Sequence, residues 1–493
     1  MKAHPFATTV LAWLVATIPF AARAQWSSDP TTNLIVSDIA GGSTQPKMVA
    51  TPDGGFYVSW FDNIANGFDI HLQRLDAGGN ELWAHNGILV ADRSYSSTYD
   101  YGLATDAVGN AYVSFNCCQS NSGEHIAVSK IMPDGTPAWG AGGITVSTAA
   151  EAVYNAYVTA TTDADVVVAW SADSGVRAQK LDGGGNALWT TGGVLLDQPA
   201  GLKLLGGLQA GESGSAIASW SNQSGSAHIL RAQKLAAIDG SAQWGGGIAV
   251  RVFGQGNLQF GYYPPFIADG AGGGVFWDYD YNAGSFVARV QHLDAAGNPL
   301  FGANGVLGTT DTTQDHTDTS AAFDAASGDV YLVWRDNYTG TNQQSYDGVS
   351  AQRIDATGNR MWGDTGKVLV VPANSTDGTH SISQPVALPM PGGFLASWVT
   401  GAIPAADQPI TVAGLDAAGN YTWPVQTVDV KTTRYTGRTV GATSANGFAA
   451  YAWQDGDDGN GLSTIRAQNI NFDGTLGVGA NDTIFRDGFD GIN

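Results

Sequence analysis

Cysteine is almost absent from this chain. The 493 residues hold two, Cys117 and Cys118, and they are adjacent. One adjacent pair cannot make a disulfide framework, so a packed core must supply the stability. In an oxidising compartment the pair would close into a strained ring with itself or bridge to another chain. Positive charge is also scarce: 22 Lys and Arg stand against 44 Asp and Glu, and the net charge is −22 with no basic cluster. Phosphate recognition rests on such clusters, so the composition argues against a nucleic-acid partner and against anionic lipid. Beyond the first two dozen residues no apolar run is long enough to cross a bilayer, so no membrane insertion is expected. His71, His85, His125, His228, His292, His316 and His380 are scattered without metal-ligand spacing. Nucleophilic triads, zinc motifs and phosphate loops are missing as well.

What the chain does contain begins with a leader. Lys2, the apolar stretch Val10 to Phe20 and Ala22-Arg23-Ala24 before Gln25 read as a signal peptide over 1–24. The mature protein is expected to be secreted, periplasmic or on the cell surface, and monomeric. Gly is abundant at 66 residues and Trp at 15. Short Val, Ile, Tyr and Trp runs between Gly, Asp and Asn clusters are the composition of an all-β chain with many tight turns.

One phrase, Asp-x-x-Gly-Asn-x-x-Trp, recurs at Asp76–Trp83, Asp182–Trp189, Asp355–Trp362 and Asp416–Trp423. Looser copies are Asp294–Phe301, Asp134–Trp139 and Asp239–Trp244. A period of roughly fifty to sixty residues marks one supersecondary unit copied many times. The first unit reads as strands over Pro46–Thr51, Phe56–Trp60 and Ile70–Leu75, with a fourth ending near Val90. The aromatic closing each second strand is Trp60, Phe115, Trp170, Trp220, Trp277, Trp334, Trp398 and Trp453, which counts eight units. A third-strand glutamine recurs at Gln73, Gln179, Gln233, Gln291, Gln352 and Gln468.

Four short antiparallel strands per unit suit an eight-bladed β-propeller over 30–480. The ends agree. The eighth unit lacks a fourth strand, while Leu34-Ile35-Val36-Ser37-Asp38 resembles the fourth-strand text Ile88-Leu89-Val90-Ala91-Asp92. The N-terminal strand should therefore complete the last blade, with Ile35 and its neighbours beside those of Ile470. Strand alternation puts the first-to-second and third-to-fourth turns on one face. The other face carries the longer connections, including Asn116–Ser122 and Asn337–Gly348, and is the expected working face.

Three resemblances attach to these residues. The Asp-x-x-Gly-Asn turn loosely resembles the Asp-box of sialidase-type propellers, without the Ser that opens that box. It also resembles the tryptophan docking repeat of quinoprotein dehydrogenases, which are eight-bladed, exported and often carry a vicinal disulfide; here the Asp-to-Trp spacing is one residue shorter. The ending Ile484-Phe485-Arg486-Asp487-Gly488-Phe489-Asp490 resembles a short terminus of exported proteins from some Gram-negative bacteria. It implies a sorting or processing tag over 481–493.

Candidate chemistry lies on the long-connection face. Acidic residues follow the closing aromatic at Asp62, Asp173, Asp278, Asp280, Asp336, Asp455, Asp457 and Asp458. The alternations Asp278, Asp280, Asn282 and Asp455, Asp457 suggest a calcium rim, with Asx-turn capping as the plainer account. Tyr262, Tyr263, Tyr279, Tyr281 and Tyr338 suit sugar stacking or a protein contact. The expected function is a non-catalytic propeller binding a protein or glycan. The alternatives are a glycan hydrolase or lyase, a quinoprotein-like oxidoreductase, or a structural surface protein. A catalytic propeller should bring two carboxylates, or a carboxylate and a His or Tyr, together at the central channel.

Overall fold

A computed structural model describes residues 25–64, 67–93, 98–120, 123–148, 151–259, 261–282, 284–402, 407–456 and 463–478. Residues 1–24, read above as a leader, the 481–493 ending, Asp457 and Asp458 lie outside these. Eight four-stranded antiparallel sheets follow one another around a ring, giving an eight-bladed β-propeller. The first blade holds β2 (Ser43–Ala50), β3 (Phe56–Ile64), β4 (Gly67–Leu75) and β5 (Ile88–Ala91). The first strands of neighbouring blades touch one another and form the inner rim, while the fourth strands lie outermost.

The ring closes as the chain ends suggested. β1 (Leu34–Ser37) is the fourth strand of the last blade, antiparallel to Thr464–Asn471. The register pairs Leu34 with Ala467 and Ile35 with Arg466, so it is centred earlier in that strand than Ile470. Apolar layers fill the spaces between blades. Phe56, Val58 and Trp60 of the first blade pack with Phe448, Ala450 and Ala452 of the eighth. All eight strand-closing aromatics are buried, and burying each such ring removes a large apolar area from water.

The repeated turn is built by hydrogen bonds its own sequence supplies. The Asp76 carboxylate accepts from the Asn80 amide at 2.8 Å, and Asn80 Nδ2 donates to both its oxygens at 3.0 and 2.8 Å. Gly79 sits at φ +80, a backbone region that favours glycine. The tryptophan then crosses to the next blade. Trp83 Nε1 donates to Pro133 O, Trp139 to Gly183 O, Trp189 to Ala237 O, Trp244 to Ala295 O, Trp362 to Ala417 O and Trp423 to Phe472 O, at 2.9–3.3 Å. The recurrent glutamine fixes the segment carrying that ring. Gln179, for example, donates from Nε2 to Thr190 O at 2.8 Å and accepts the Trp189 amide at 3.0 Å.

One expectation about the connections changes. Within Asn116–Ser122 the described residues, to Ser120, continue the strand, and Asn337–Gly348 is mainly strand extension too. The second and third strands run to Ser120 and from Gly123 in the second blade, and to Thr339 and from Ser345 in the sixth. In the sixth blade Tyr338 pairs with Tyr346 and Asn337 with Asp347, continuing the ladder. The longer connections are those leading from one blade to the next, as from Ala91 to Gly102 and from Arg251 to Phe266.

Candidate functional site

Near each strand-closing aromatic, the inner strand of most blades carries an extra residue. The register skips between Thr44 and Lys47, Val153 and Ala156, Leu205 and Gly207, Thr317 and Ser320, Ser383 and Val386, and Gly437 and Val440. Such bulges re-aim side chains at a sheet edge. Gln45, Asp318, Gln384 and Arg438 take φ of 53°, 50°, 53° and 49° there. Asp100 and Asn155 hold the equivalent places in the second and third blades, two residues before Gly102 and Tyr157.

These residues tie neighbouring blades together at the rim. Gln45 Nε2 donates to Thr98 O at 3.3 Å, Asn155 Oδ1 accepts the Asp100 amide at 3.2 Å, and Gln384 Oε1 accepts the Thr439 amide at 2.6 Å. At Asp100 three blades meet. Lys47 Nζ of the first lies 2.6 Å from Asp100 Oδ1, and Tyr157 Oη of the third donates to Oδ2 at 2.5 Å. The Lys47 ammonium stands over the rings of Tyr101 and Tyr157 at 5.4 and 5.5 Å. The group reaches solvent, the Lys47 and Asp100 side chains being 26% and 37% exposed.

The electrostatics assign the proton. The dense protein around Asp100 opposes its ionisation, but the charge and hydrogen bond of Lys47, with those from Tyr157 and the Tyr101 amide, outweigh this and hold it below the usual carboxylate range. Burial and then the Asp100 charge push the Tyr157 phenol well above its ordinary value. Asp100 is thus a carboxylate and Tyr157 a protonated donor. Four blades away around the ring, Asp318 pairs with Arg335 at 3.4 Å. Arg438 is exposed and has no ion pair among the described residues.

The tyrosines form two aromatic shelves on the fifth and sixth blades. Tyr262 and Tyr279 stack at 4.4 Å, and Tyr338 stacks on Tyr346 at 4.9 Å with planes 5° apart. Tyr281 is 57% exposed and meets Phe286 edge-on. Tyr263 is half-buried, which raises its phenol.

Asp62, Asp278, Asp280, Asp336 and Asp455 lie inside strands, with their charges met by the protein, while Asp173 stands in the turn just past the strand ending at Ala172 and accepts from Tyr154 Oη at 3.0 Å. Asp278 and Asp280 are fully buried; Arg289 binds Asp278 at 2.6 and 2.9 Å and Asp280 at 3.2 Å. The guanidinium stands where the expected cation would. The side chain of Asn282 is outside the described residues. Asp455 is buried among Arg466 at 2.9 Å, Lys431 at 3.3 Å and Arg434 at 3.4 Å. Burial lowers Lys431 to about 8, with Asp455 opposing. No cluster of three or more His, Cys, Asp and Glu that could hold a metal occurs among the described residues. Cys117 is buried and disulfide-bonded, and the side chain of Cys118 is outside the described residues.

The sequence reading missed the rim group. Asp100 lacks a local motif, because its partners stand 53 and 57 residues away in neighbouring blades. The signal available was the eightfold repeat itself, which places Lys47, Asp100 and Tyr157 on adjacent inner strands once the units are aligned.

No family model matches the chain, and no curated protein does. Solved structures do. An ulvan lyase from a polysaccharide lyase family is 8% identical over 92% of this chain and 99% of that one, at a TM-score of 0.48. An α-L-arabinanase of Penicillium chrysogenum, complexed with arabinobiose, is 12% identical over 90% and 99%, at 0.42. An α-L-arabinofuranosidase of Fusarium graminearum, in complex with an iminosugar inhibitor, is 10% identical over 89% and 97%, at 0.40. These are likenesses of fold.

The expectation of a non-catalytic binding propeller is corrected here. The three solved propellers named above are glycan enzymes by their own descriptions, which runs against that expectation. The rim brings a carboxylate and a tyrosine together, Tyr157 Oη donating to Asp100.

Proposed function

We propose that the chain is an exported glycan-cleaving enzyme whose reaction centre is Asp100, Tyr157 and Lys47 on the inner rim. The observation that carries the reading is the bond from Tyr157 Oη to the solvent-reaching Asp100 carboxylate, at the junction of three blades. Cleaving a glycosidic link needs a proton for the departing oxygen and a carboxylate to take a proton or face positive charge. Tyr157 keeps its proton across the physiological range, and Asp100 keeps its charge. Lys47 holds that carboxylate in place and suits an acidic substituent on the sugar. The tyrosine shelves offer flat apolar faces of the kind sugar rings stack against.

The leader and the Gly-Phe ending belong to the same proposal, since polymeric glycans are met outside the cell. N-terminal sequencing of the mature protein should begin at Gln25. The mature protein is assayed on a panel of neutral and acidic polysaccharides. New reducing ends alone report hydrolysis; new ends with ultraviolet absorbance of an unsaturated product report elimination. Asp100→Asn and Tyr157→Phe should each abolish turnover in protein that circular dichroism shows to be folded. The reading fails if no polysaccharide is cut, or if Tyr157→Phe is as active as the parent.

A further inference from the structure

Three blades place an aspartate two residues after the strand-closing tryptophan and surround it with donors. Asp62 accepts the Trp60 indole N–H at 2.9 Å and lies 3.4 Å from His71. Asp336 accepts Trp334 at 2.7 Å and faces His316 at 2.8 Å. Asp455 accepts Trp453 at 3.2 Å and faces Arg466 and Lys431. In the eighth blade Trp453 and Arg466 are opposite each other in the ladder.

The fourth blade keeps the donors and lacks the aspartate. Trp220 and Arg231 are opposite each other, as Trp453 and Arg466 are, but the residue two places on is Asn222. Trp220 Nε1 and Arg231 Nε are both buried without an acceptor, and Asn222 Oδ1 also has no partner. Lys203 is paired in register with Asn222, and Arg251 with Arg231. Directly opposed residues share a sheet face, so Lys203, Trp220, Asn222, Arg231 and Arg251 all stand on one side.

No carboxylate lies within ion-pair distance of Lys203, Arg231 or Arg251 among the described residues. Lys203 is 2% exposed and its ammonium donates to Gly201 O at 3.1 Å. Arg231 Nη1 donates to Ala249 O at 2.9 Å, while Arg251 donates to Phe253 O and Gly256 O at 2.6 and 3.0 Å. Burial lowers all three cations. Asp197 opposes this at Lys203 and Asp280 at Arg251, while Arg231 adds to it at Lys203, Arg251 at Arg231 and Arg289 at Arg251. An acidic chain that pairs most of its cations leaves three together here, beside two orphaned donors. Buried donors and charges are ordinarily satisfied, so a missing acceptor needs an explanation.

We infer that the fourth blade holds an oxyanion-binding site, in which a carboxylate or sulfate sits between Trp220, Arg231 and Lys203 where the first, sixth and eighth blades place their own aspartate. The donor set is that of a bidentate or charge-assisted anion contact. The site is separate from the rim group and does not depend on the activity proposed there. An acidic sugar or an inorganic ion would present the same oxygen chemistry.

The mature protein is melted and titrated calorimetrically with sodium sulfate and with sodium glucuronate, against sodium chloride at matched ionic strength. Sulfate stabilises many proteins by exclusion, so the required signs are saturation and heat of binding. A saturable rise in melting temperature with sulfate alone assigns an inorganic ion. The same rise with glucuronate assigns an acidic sugar. Asn222→Asp rebuilds the aspartate of the other blades, and should raise the melting temperature in chloride and erase the response to both anions. Arg231→Gln should also erase it. Neither anion exceeding chloride, or Asn222→Asp leaving the response intact, overturns the inference. The Asp variant decides even if Arg231→Gln does not fold.

Discussion

The indole of Trp26 lies against Gly79, on the far side of the ring closure. Trp26 Nε1 donates to Ala77 O at 2.9 Å, and a Cβ on Gly79 would fall 2.6 Å from the ring. This is the contact each repeat tryptophan makes with the next blade, as Trp423 makes with Gly474 and Phe472. Gln468 completes the likeness by donating to Ser27 O, the residue after Trp26, as Gln179 donates to Thr190 O after Trp189. The N-terminal segment therefore supplies the eighth blade with a strand and also with its docking ring.

Truncating Trp26 should hurt the whole ring although it stands before the first strand, in a segment of the kind where most residues tolerate change. Trp26 is 2% exposed. Large-to-small core substitutions of Trp cost about 3–5 kcal/mol. Trp26→Ala is expected to lower stability in urea unfolding by a similar amount to Trp423→Ala. An effect within about 0.5 kcal/mol, the level of ordinary surface changes, would mean that β1 alone closes the propeller.

The fifth blade breaks the pattern with Phe301, whose ring lies over Gly358 in the place of an indole and has no N–H to give. Phe301→Trp should restore a donor toward the turn of the sixth blade. A net hydrogen bond adds about 0.5–1.5 kcal/mol. A small rise in the urea midpoint is the expected result; a fall would show that the edge-on contact with His292 leaves no room for the larger ring.

How much of this was legible follows from where the information sits. The Asp76–Asn80 turn and the Gln179 clamp are local, so each copy carries its own signal. The β1 closure was legible because Leu34–Asp38 repeats the fourth-strand text. Trp26 escaped notice because it precedes its strand by eight residues, against five for Trp83 and Ile88. The acids after the closing aromatics were seen but assigned to loops. Asp62 and Asp336 are instead buried acceptors for the tryptophan two residues back, because the strands run past the aromatic. Asp100, Lys47 and Tyr157 are each unremarkable alone; three blades must be stacked before they meet.

Removing Lys47 should move the pH profile of the rim group. The Lys47 charge and hydrogen bond help hold Asp100 below the usual carboxylate range. A depressed carboxylate keeps its ionised form to lower pH, so in Lys47→Met the acid limb of kcat/KM should shift to higher pH. A Lys47 that only braced the blades would lower stability and leave that limb in place. The profile, measured on whichever glycan is cut, separates the two roles.

His316 and Asp336 give the fold its own pH dependence. Burial opposes a proton on His316, but the hydrogen bond and charge of Asp336, with help from the Asp311 carbonyl and charge, outweigh it and raise the imidazole above its ordinary value near 6.5. The folded chain then binds this proton more tightly than the unfolded chain does. Its stabilising contribution is full below the ordinary imidazole value and is lost as pH rises through the higher folded one. His316→Gln cannot take up the proton but can still donate to Asp336. Unfolding free energies measured by urea from mildly acidic to mildly alkaline pH should fall more steeply for the parent than for His316→Gln. Equal slopes would mean that the imidazole stays neutral, held as a hydrogen-bond donor to Asp336, with no proton linked to folding.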